Sequence, residues 1–193
     1  MAMVAAVLAG GESRRMGEPK AALELEGRTL LERAVGAAHA AGLRPVVVAK
    51  ADTTLPRVDA ERWDEPVDPR HPLAGIVAAL RAAGSDGIIA LACDTPFVPP
   101  RLLRALAERP RTTLVRAGGR LHPLPGRYAA DSCAPLADAL ARSAPLQQAL
   151  LDLGAEILDE PDGPALLNVN HPQDLEAARA WLASNPQSGA GNR

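Results

Sequence analysis

The residues of this chain best suited to chemistry lie in two short segments. The first runs Gly10-Gly11-Glu12-Ser13-Arg14-Arg15-Met16-Gly17-Glu18-Pro19-Lys20. Its glycines let backbone N–H groups turn inward and approach phosphate oxygens closely, while Arg14, Arg15 and Lys20 supply opposite charge. The spacing is not that of a Walker A loop, because no Ser or Thr follows Lys20. Nor does it give the G-x-G-x-x-G order of the dinucleotide fingerprint. A solvated basic loop is the ordinary reading of such a run. The glycines and the apolar stretch before them favour phosphate binding here, with Arg14 the weakest of the cations. The second segment is Cys93-Asp94-Thr95-Pro96. A carboxylate directly after an apolar run suits Mg²⁺, which takes one or two carboxylates and keeps several waters beside nucleotide phosphates. It suits an Asx-turn before proline equally well.

Both segments need strands to carry them. Met3-Val4-Ala5-Ala6-Val7-Leu8 lacks period-2 alternation and ends in glycines, the pattern of a buried strand. Gly87-Ile88-Ile89-Ala90-Leu91-Ala92-Cys93 reads the same way, as does Pro45-Val46-Val47-Val48-Ala49. Between them, Thr29-Leu30-Leu31-Glu32 fits a capping box, with Gly42 as the stop of the helix that follows. Leu73 to Ala83 reads as a helix ended by Gly84, and Pro99-Pro100 opens another through about Glu108. Residues 113–115 and 127–129 predict antiparallel strands. Ser132 to Arg142, Pro145 to Leu153 and Pro172 to Ala183 predict helices, and Leu166-Leu167-Asn168-Val169 a final strand. The proline-punctuated stretch from Pro56 to Pro72 reads as a loop. Alternating strands and helices predict a single three-layer α/β/α domain over residues 1–183, with a mostly parallel, doubly wound Rossmann-like sheet. Residues 184–193 have the composition of a disordered tail. Gly10, Asp94 and Asn170 then leave the carboxyl ends of strands, the edge at which open α/β sheets bind ligands.

Composition narrows the function further. Of 193 residues, 47% are hydrophobic but only 2% aromatic, so alanine, leucine and valine must fill the core. A net charge of −2 gives no general attraction to nucleic acid or to an anionic membrane, so any cationic role is local. Cys93 and Cys133 form no C-x-x-C pair, which argues against zinc and against a disulfide framework. The start lacks a basic leader, and no apolar run approaches the ~18 residues of a membrane span. A cytoplasmic protein is the default expectation. No Ser lies in a G-x-S-x-G context, so a hydrolase triad is not indicated.

The segment Leu8 to Lys20 resembles the nucleotidyltransferase signature L-A-G-G-x-S-x-R-M-G-x-x-K at every fixed position. Within that superfamily the chain looks most like the molybdenum cofactor guanylyltransferases. Pro72-Leu73-Ala74-Gly75-Ile76, Cys93-Asp94-Thr95-Pro96-Phe97-Val98-Pro99, His122-Pro123-Leu124 and Asn168-Val169-Asn170-His171-Pro172-Gln173-Asp174-Leu175 carry the same likeness in the family's order. The resemblance implies a nucleotide-diphospho-sugar transferase type of fold and transfer of GMP from GTP to the phosphate of Mo-molybdopterin. Leu8, Ala9, Gly10, Gly11 and Lys20 would hold the nucleotide, Arg15 and Lys20 would stabilise charge, and Asp94 would bind both nucleotide and Mg²⁺. Asp64 falls where the family places a nucleotide-binding Asp. A carboxylate there could accept the adjacent N1–H and N2–H₂ donors of guanine, although Asp64, Glu65 and Asp68 also read as solvated loop acids. Asn168 and Asn170 would face the acceptor, molybdopterin, though Asn before His-Pro also suits a helix-start turn.

The departures from the family pattern are local. His71 stands where Gly is usual, and Ala49 stands where an Asn can contact nucleotide. Residues 141–148 lack the glycine the family often has near the acceptor and keep a single basic side chain, Arg142, where the family often has more. Gly10-Gly11 leans toward GTP, since the related cytidylyltransferases look like L-A-A-G there. Transfer from CTP, another phosphate acceptor, or a non-catalytic nucleotide-binding adaptor for molybdoenzymes are the alternatives. Other cofactor-biosynthesis proteins are further possible partners.

Overall fold

The computed structural model describes residues 2–10, 19–161 and 163–185, so Gly11, Arg14 and Arg15 lie outside the described residues. In chain order the elements are β1 (Val4–Leu8), β2 (Glu24–Leu25), β3 (Arg28–Thr29), α1 (Leu30–Ala40), β4 (Arg44–Lys50), β5 (Glu61–Glu65), α2 (Pro72–Ala83) and β6 (Ile88–Ala92). They continue as α3 (Pro100–Ala107), β7 (Thr113–Ala117), β8 (Arg120–Tyr128), α4 (Cys133–Ala141), α5 (Leu146–Asp152), β9 (Glu156–Asp159) and α6 (Pro172–Ser184). Seven strands form one sheet in the order β5-β4-β1-β6-β8-β7-β9. β1 runs parallel to β4 and β6, and β4 parallel to β5; β8 is antiparallel to β6 and β7. β2 and β3 make a separate small hairpin.

Alternation along β1 builds the two faces. Ala5, Val7 and Ala9 enter one core cluster with Leu31 of α1 and Leu103 of α3. Val4 and Ala6 enter another with Leu73 of α2, Leu136 of α4 and Leu150 of α5. Helices therefore cover both faces, as the alternating pattern predicts. The capping box of α1 forms as expected. Thr29 Oγ1 accepts from Glu32 N at 3.1 Å, and Thr29 N donates to Glu32 Oε2 at 2.6 Å. A third cluster joins the β2–β3 hairpin to α6 through Leu25, Leu30, Val169 and Leu182, with Phe97 and Trp181 ring centroids 4.4 Å apart.

Two sequence expectations change. The loop expected from Pro56 to Pro72 contains β5, an edge strand reading Glu-Arg-Trp-Asp-Glu. Charged side chains are what an edge strand carries to discourage pairing with another chain, and they erase the apolar signal. The strand expected at 166–169 is not formed. Residues Gly163–Leu166 make a 3₁₀ turn, and 167–170 are irregular. Val169 instead gives one backbone bond, its N–H donating to Asp94 O at 2.8 Å. The last strand of the sheet is β9, too short and polar to stand out. Among the described residues, no helix is long and apolar enough to cross a membrane.

Candidate active site

The carboxyl ends of β1 and β6 bring the two chemical segments together. β6 hands its chain on through Cys93, whose N–H donates to Leu8 O at 3.2 Å and so extends the ladder beside β1. Thr95 Oγ1 donates to Ala92 O at 2.9 Å and closes the turn. The Asp94 side chain makes no Asx-turn, since Pro96, two residues on, has no N–H to give. It points to Lys20 instead.

Lys20 begins a 3₁₀ turn, Lys20–Ala22, locked to the following hairpin by Leu23 N donating to Lys20 O and Leu30 N to Leu23 O. Its Nζ donates to Asp94 Oδ2 at 2.8 Å and to Asn170 Oδ1 at 2.5 Å. The lysine and aspartate side chains are only 19% and 15% exposed, so the pair is held in a partly desolvated place where its charges are felt strongly. Asn170 is fixed in turn by Asp174, whose Oδ2 accepts from the backbone N–H of Asn170 and of His171, each at 2.8 Å. The bond from Asn170 N–H, opposed by partial burial and aided by His171, holds the Asp174 carboxyl below the usual aspartate range. Asn168 is exposed.

A cavity of about 440 Å³ opens beside this cluster, lined by Lys20, Asp94, Cys93, Gly10 and Leu8 and reaching Lys50, Glu65, Arg70 and His71. That volume is in the range of ligand pockets. Of the residues expected to hold nucleotide, Leu8, Gly10, Lys20 and Asp94 line it. Ala9 is buried beneath. Gly11 and Arg15 lie outside the described residues. Cys93 is buried, and burial pushes its thiol up to about 12, so it supplies no thiolate.

Asp64 is not among the lining residues. It alternates to the exposed side of β5, where Arg62 Nε lies 3.3 Å from its Oδ1. Its neighbour Glu65 shares the inward face of Trp63, which packs against the α2 side of the core. The Glu65 carboxylate is wedged between Gly10 and Gly75. A methyl group at Gly10 would collide with Oε1, and one at Gly75 would come within 2.5 Å of Oε2. Burial pushes the Glu65 carboxyl above the usual range, with Lys50 opposing. The signal that could have found it is Trp63, which fixes the parity of the strand. His71, in place of the usual glycine, caps α2 by accepting from Leu73 N at Nδ1, 3.2 Å away.

Asp94 fits a divalent cation that is also held by phosphates. It offers one carboxylate beside a cavity, with Oδ2 carrying Lys20. Among the described residues no group of three or more His, Cys, Asp or Glu side chains could hold a metal without such help.

Residues 5–157 match the MobA-like NTP transferase domain family. The chain belongs to that family. A molybdenum cofactor guanylyltransferase of Cereibacter sphaeroides is 35% identical over 94% of this chain and 98% of its own length. A probable molybdenum cofactor guanylyltransferase of Opitutus terrae is 32% identical over 92% of this chain and 95% of its own. Among solved structures, a molybdopterin-guanine dinucleotide biosynthesis protein A from Archaeoglobus fulgidus superposes with a TM-score of 0.76 at 26% identity, covering 94% of this chain and all of that one. The MobA-like assignment makes the chain a nucleotidyltransferase and agrees with the mostly parallel α/β architecture.

Proposed function

We propose that this nucleotidyltransferase transfers GMP from GTP to the terminal phosphate of Mo-molybdopterin, forming molybdopterin guanine dinucleotide and pyrophosphate. The observation that carries the reading is the Lys20–Asp94–Asn170 cluster at the mouth of a nucleotide-sized cavity. The names of the relatives, molybdenum cofactor guanylyltransferases, support the choice of donor and acceptor.

An oxygen of the acceptor phosphate attacks the α-phosphorus of GTP, and the bond from that phosphorus to the oxygen bridging to the β-phosphate breaks. The bridging oxygen leaves with pyrophosphate and takes the developing negative charge. The nucleophile is already anionic, so no general base has to create it. The work left to the protein is positioning and charge neutralisation. Lys20 is preset for the second of these, its ammonium oriented by Asp94 and Asn170. Arg15 is a further candidate for the same charge. Gly10 allows the nucleotide to approach the backbone. Asp94 would hold a divalent ion, Mg²⁺ in this reading, which when bound supplies additional neutralisation of the phosphates. Asn170, next to the lysine, and the exposed Asn168 are the candidates for contact with the acceptor.

The test incubates the full chain and Mg²⁺ with each of the four nucleoside triphosphates, with and without Mo-molybdopterin, and identifies products by mass. The expected result is the guanine dinucleotide and pyrophosphate, dependent on GTP and acceptor together. Consumption of CTP with GTP untouched overturns the guanine assignment. Asp94→Ala separates enzyme from adaptor, because pyrophosphate release falls only if there was turnover to lose.

A further inference from the structure

Asp174 takes no part in the steps above, yet the group that does depends on it. An ammonium has three N–H donors. On Lys20 two of them are spent among the described residues, on Asp94 Oδ2 at 2.8 Å and on Asn170 Oδ1 at 2.5 Å, so the tetrahedral nitrogen has one direction left for its third. Without the second acceptor the ammonium would turn about its single bond to Asp94, and that direction would be lost. Asn170 therefore aims the charge. We propose that Asp174 is a positioning residue for nucleotidyl transfer: by fixing the backbone of Asn170 it sets the direction in which Lys20 presents its third N–H to phosphate. The inference rests on the transfer reading above and adds to it a residue that acts only through its neighbours.

The hold on Asn170 comes from both sides. One oxygen, Asp174 Oδ2, accepts from the N–H groups of Asn170 and His171, each at 2.8 Å. Bonds to a charged acceptor are roughly twice as strong as neutral ones. A helix cap needs only the bond from His171, the N-cap residue of α6; the bond from Asn170 reaches one residue beyond a capping box. On the other side, Val169 N–H donates to Asp94 O at 2.8 Å. Residue 170 is thus pinned between the main chain at Asp94 and the first turn of α6. The third hydrophobic cluster is the frame beneath. Leu23, three residues after Lys20, Phe97, three after Asp94, and Val169, one before Asn170, are all buried in it with Leu182 of α6. The helix that carries Asp174 is therefore packed on the same core as the three residues it aligns.

The lysines of this chain are Lys20 and Lys50, and Lys50 Nζ donates to Val67 O at 2.9 Å, away from the cluster. Labelling the full chain with ¹⁵N-lysine therefore gives two ammonium signals in NMR, one reporting on the cluster and one serving as an internal control. In Asp174→Ala the Lys20 ammonium should gain rotational freedom and exchange its protons faster, as in Asn170→Ala, with Lys50 unchanged. With GTP, Mg²⁺ and Mo-molybdopterin, kcat for pyrophosphate release should fall roughly tenfold, the worth of one hydrogen bond to a charged group, with little change in the KM for GTP. Because Asp174 acts through Asn170, the double alanine variant should be no slower than Asn170→Ala alone. Asp174→Asn, whose oxygen can accept from the same two N–H groups, should recover most of the rate. Should the alanine variant not fold, Asp174→Gln carries the test. Glutamine there still reaches the N-cap N–H and gives up the bond from Asn170, so the same loss confined to Lys20 is expected. Losses that multiply in the double variant overturn the proposal, as does a folded variant in which Lys20 keeps its wild-type order or Lys50 loosens equally; each leaves Asp174 as a helix cap. A wild-type chain that releases no pyrophosphate overturns the transfer reading and not the alignment, which the ammonium signals decide by themselves.

Discussion

At the residue scale the site turns on one ammonium group. Lys20 could sample many rotamers on its flexible stem; two acceptors, Asp94 Oδ2 and Asn170 Oδ1, hold it in one place. That ordering is done before substrate arrives, which is how a fixed cation stabilises charge that develops only in the transition state. Lys20→Met keeps most of the stem's apolar contact and removes the charge. Pyrophosphate release should fall by roughly 10²–10³ in kcat, the loss usual for one such contact. Asn170→Ala leaves the Asp94 partner, so its expected cost is about tenfold, one hydrogen bond to a charged group. Steady-state kinetics at saturating nucleotide check both, and an Asn170 effect as large as that of Lys20 would show that the amide touches substrate directly. Lys20 and Asp94 were legible in the sequence because each sits in a spaced motif next to an apolar run. The inward facing of Glu65 was not read, because the one mark of which way that charged pentapeptide faces is Trp63, two residues before it.

At the element scale the same contrast holds. The strands with continuous apolar runs, β1, β4 and β6, and the capped helix α1 could be read directly, since burial on both faces writes an unbroken hydrophobic signature. β5 hid because an edge strand is built from the residues that usually mark loops. Leu166-Leu167-Asn168-Val169 misled in the other direction, its apolar residues being spent on a turn and on the third cluster with Phe97 and Trp181 rather than on a ladder. That cluster gives α6 its task. The helix packs on the β2–β3 hairpin, and its first turn holds Asn170 through Asp174. With its folded value lowered, the Asp174 carboxylate adds stability above the ordinary aspartate range near 3.8, and that stability is lost as pH falls through the folded value. Asp174→Asn should therefore lower stability at pH 7 by about 1 kcal/mol, a typical loss for a helix-start carboxylate, with the difference from wild type closing toward pH 2. Urea unfolding at pH 7 and at the acid end measures it; a difference that does not shrink in acid would mean the carboxylate acts by packing rather than by charge.

At the scale of the whole molecule, the two faces of the sheet have separate cores, and the site lies along the edge at which β1, β6 and the start of α6 meet. Lys20 comes from the turn before the hairpin, Asp94 from the centre of the sheet and Asn170 from the C-terminal region, so three parts of the chain remote in sequence must be in register before the cluster exists. A ligand that needs all three binds the native state and not the unfolded chain, and its binding free energy becomes folding free energy. At 100 times its dissociation constant such a ligand adds about 2.7 kcal/mol. For a chain of this size each kcal/mol moves Tm by roughly 2–4 °C, so GTP with Mg²⁺ should raise the melting temperature by about 5–10 °C. Lys20→Met should lose most of that shift at the same nucleotide concentration, each shift being read against the variant's own ligand-free Tm, since removing the ammonium leaves Asp94 without its ion-pair partner in a partly desolvated place. A thermal scan with and without nucleotide decides it. A Lys20→Met chain that still gains the full shift would place the triphosphate away from this lysine, and would leave the convergence of the three segments with a purely structural purpose.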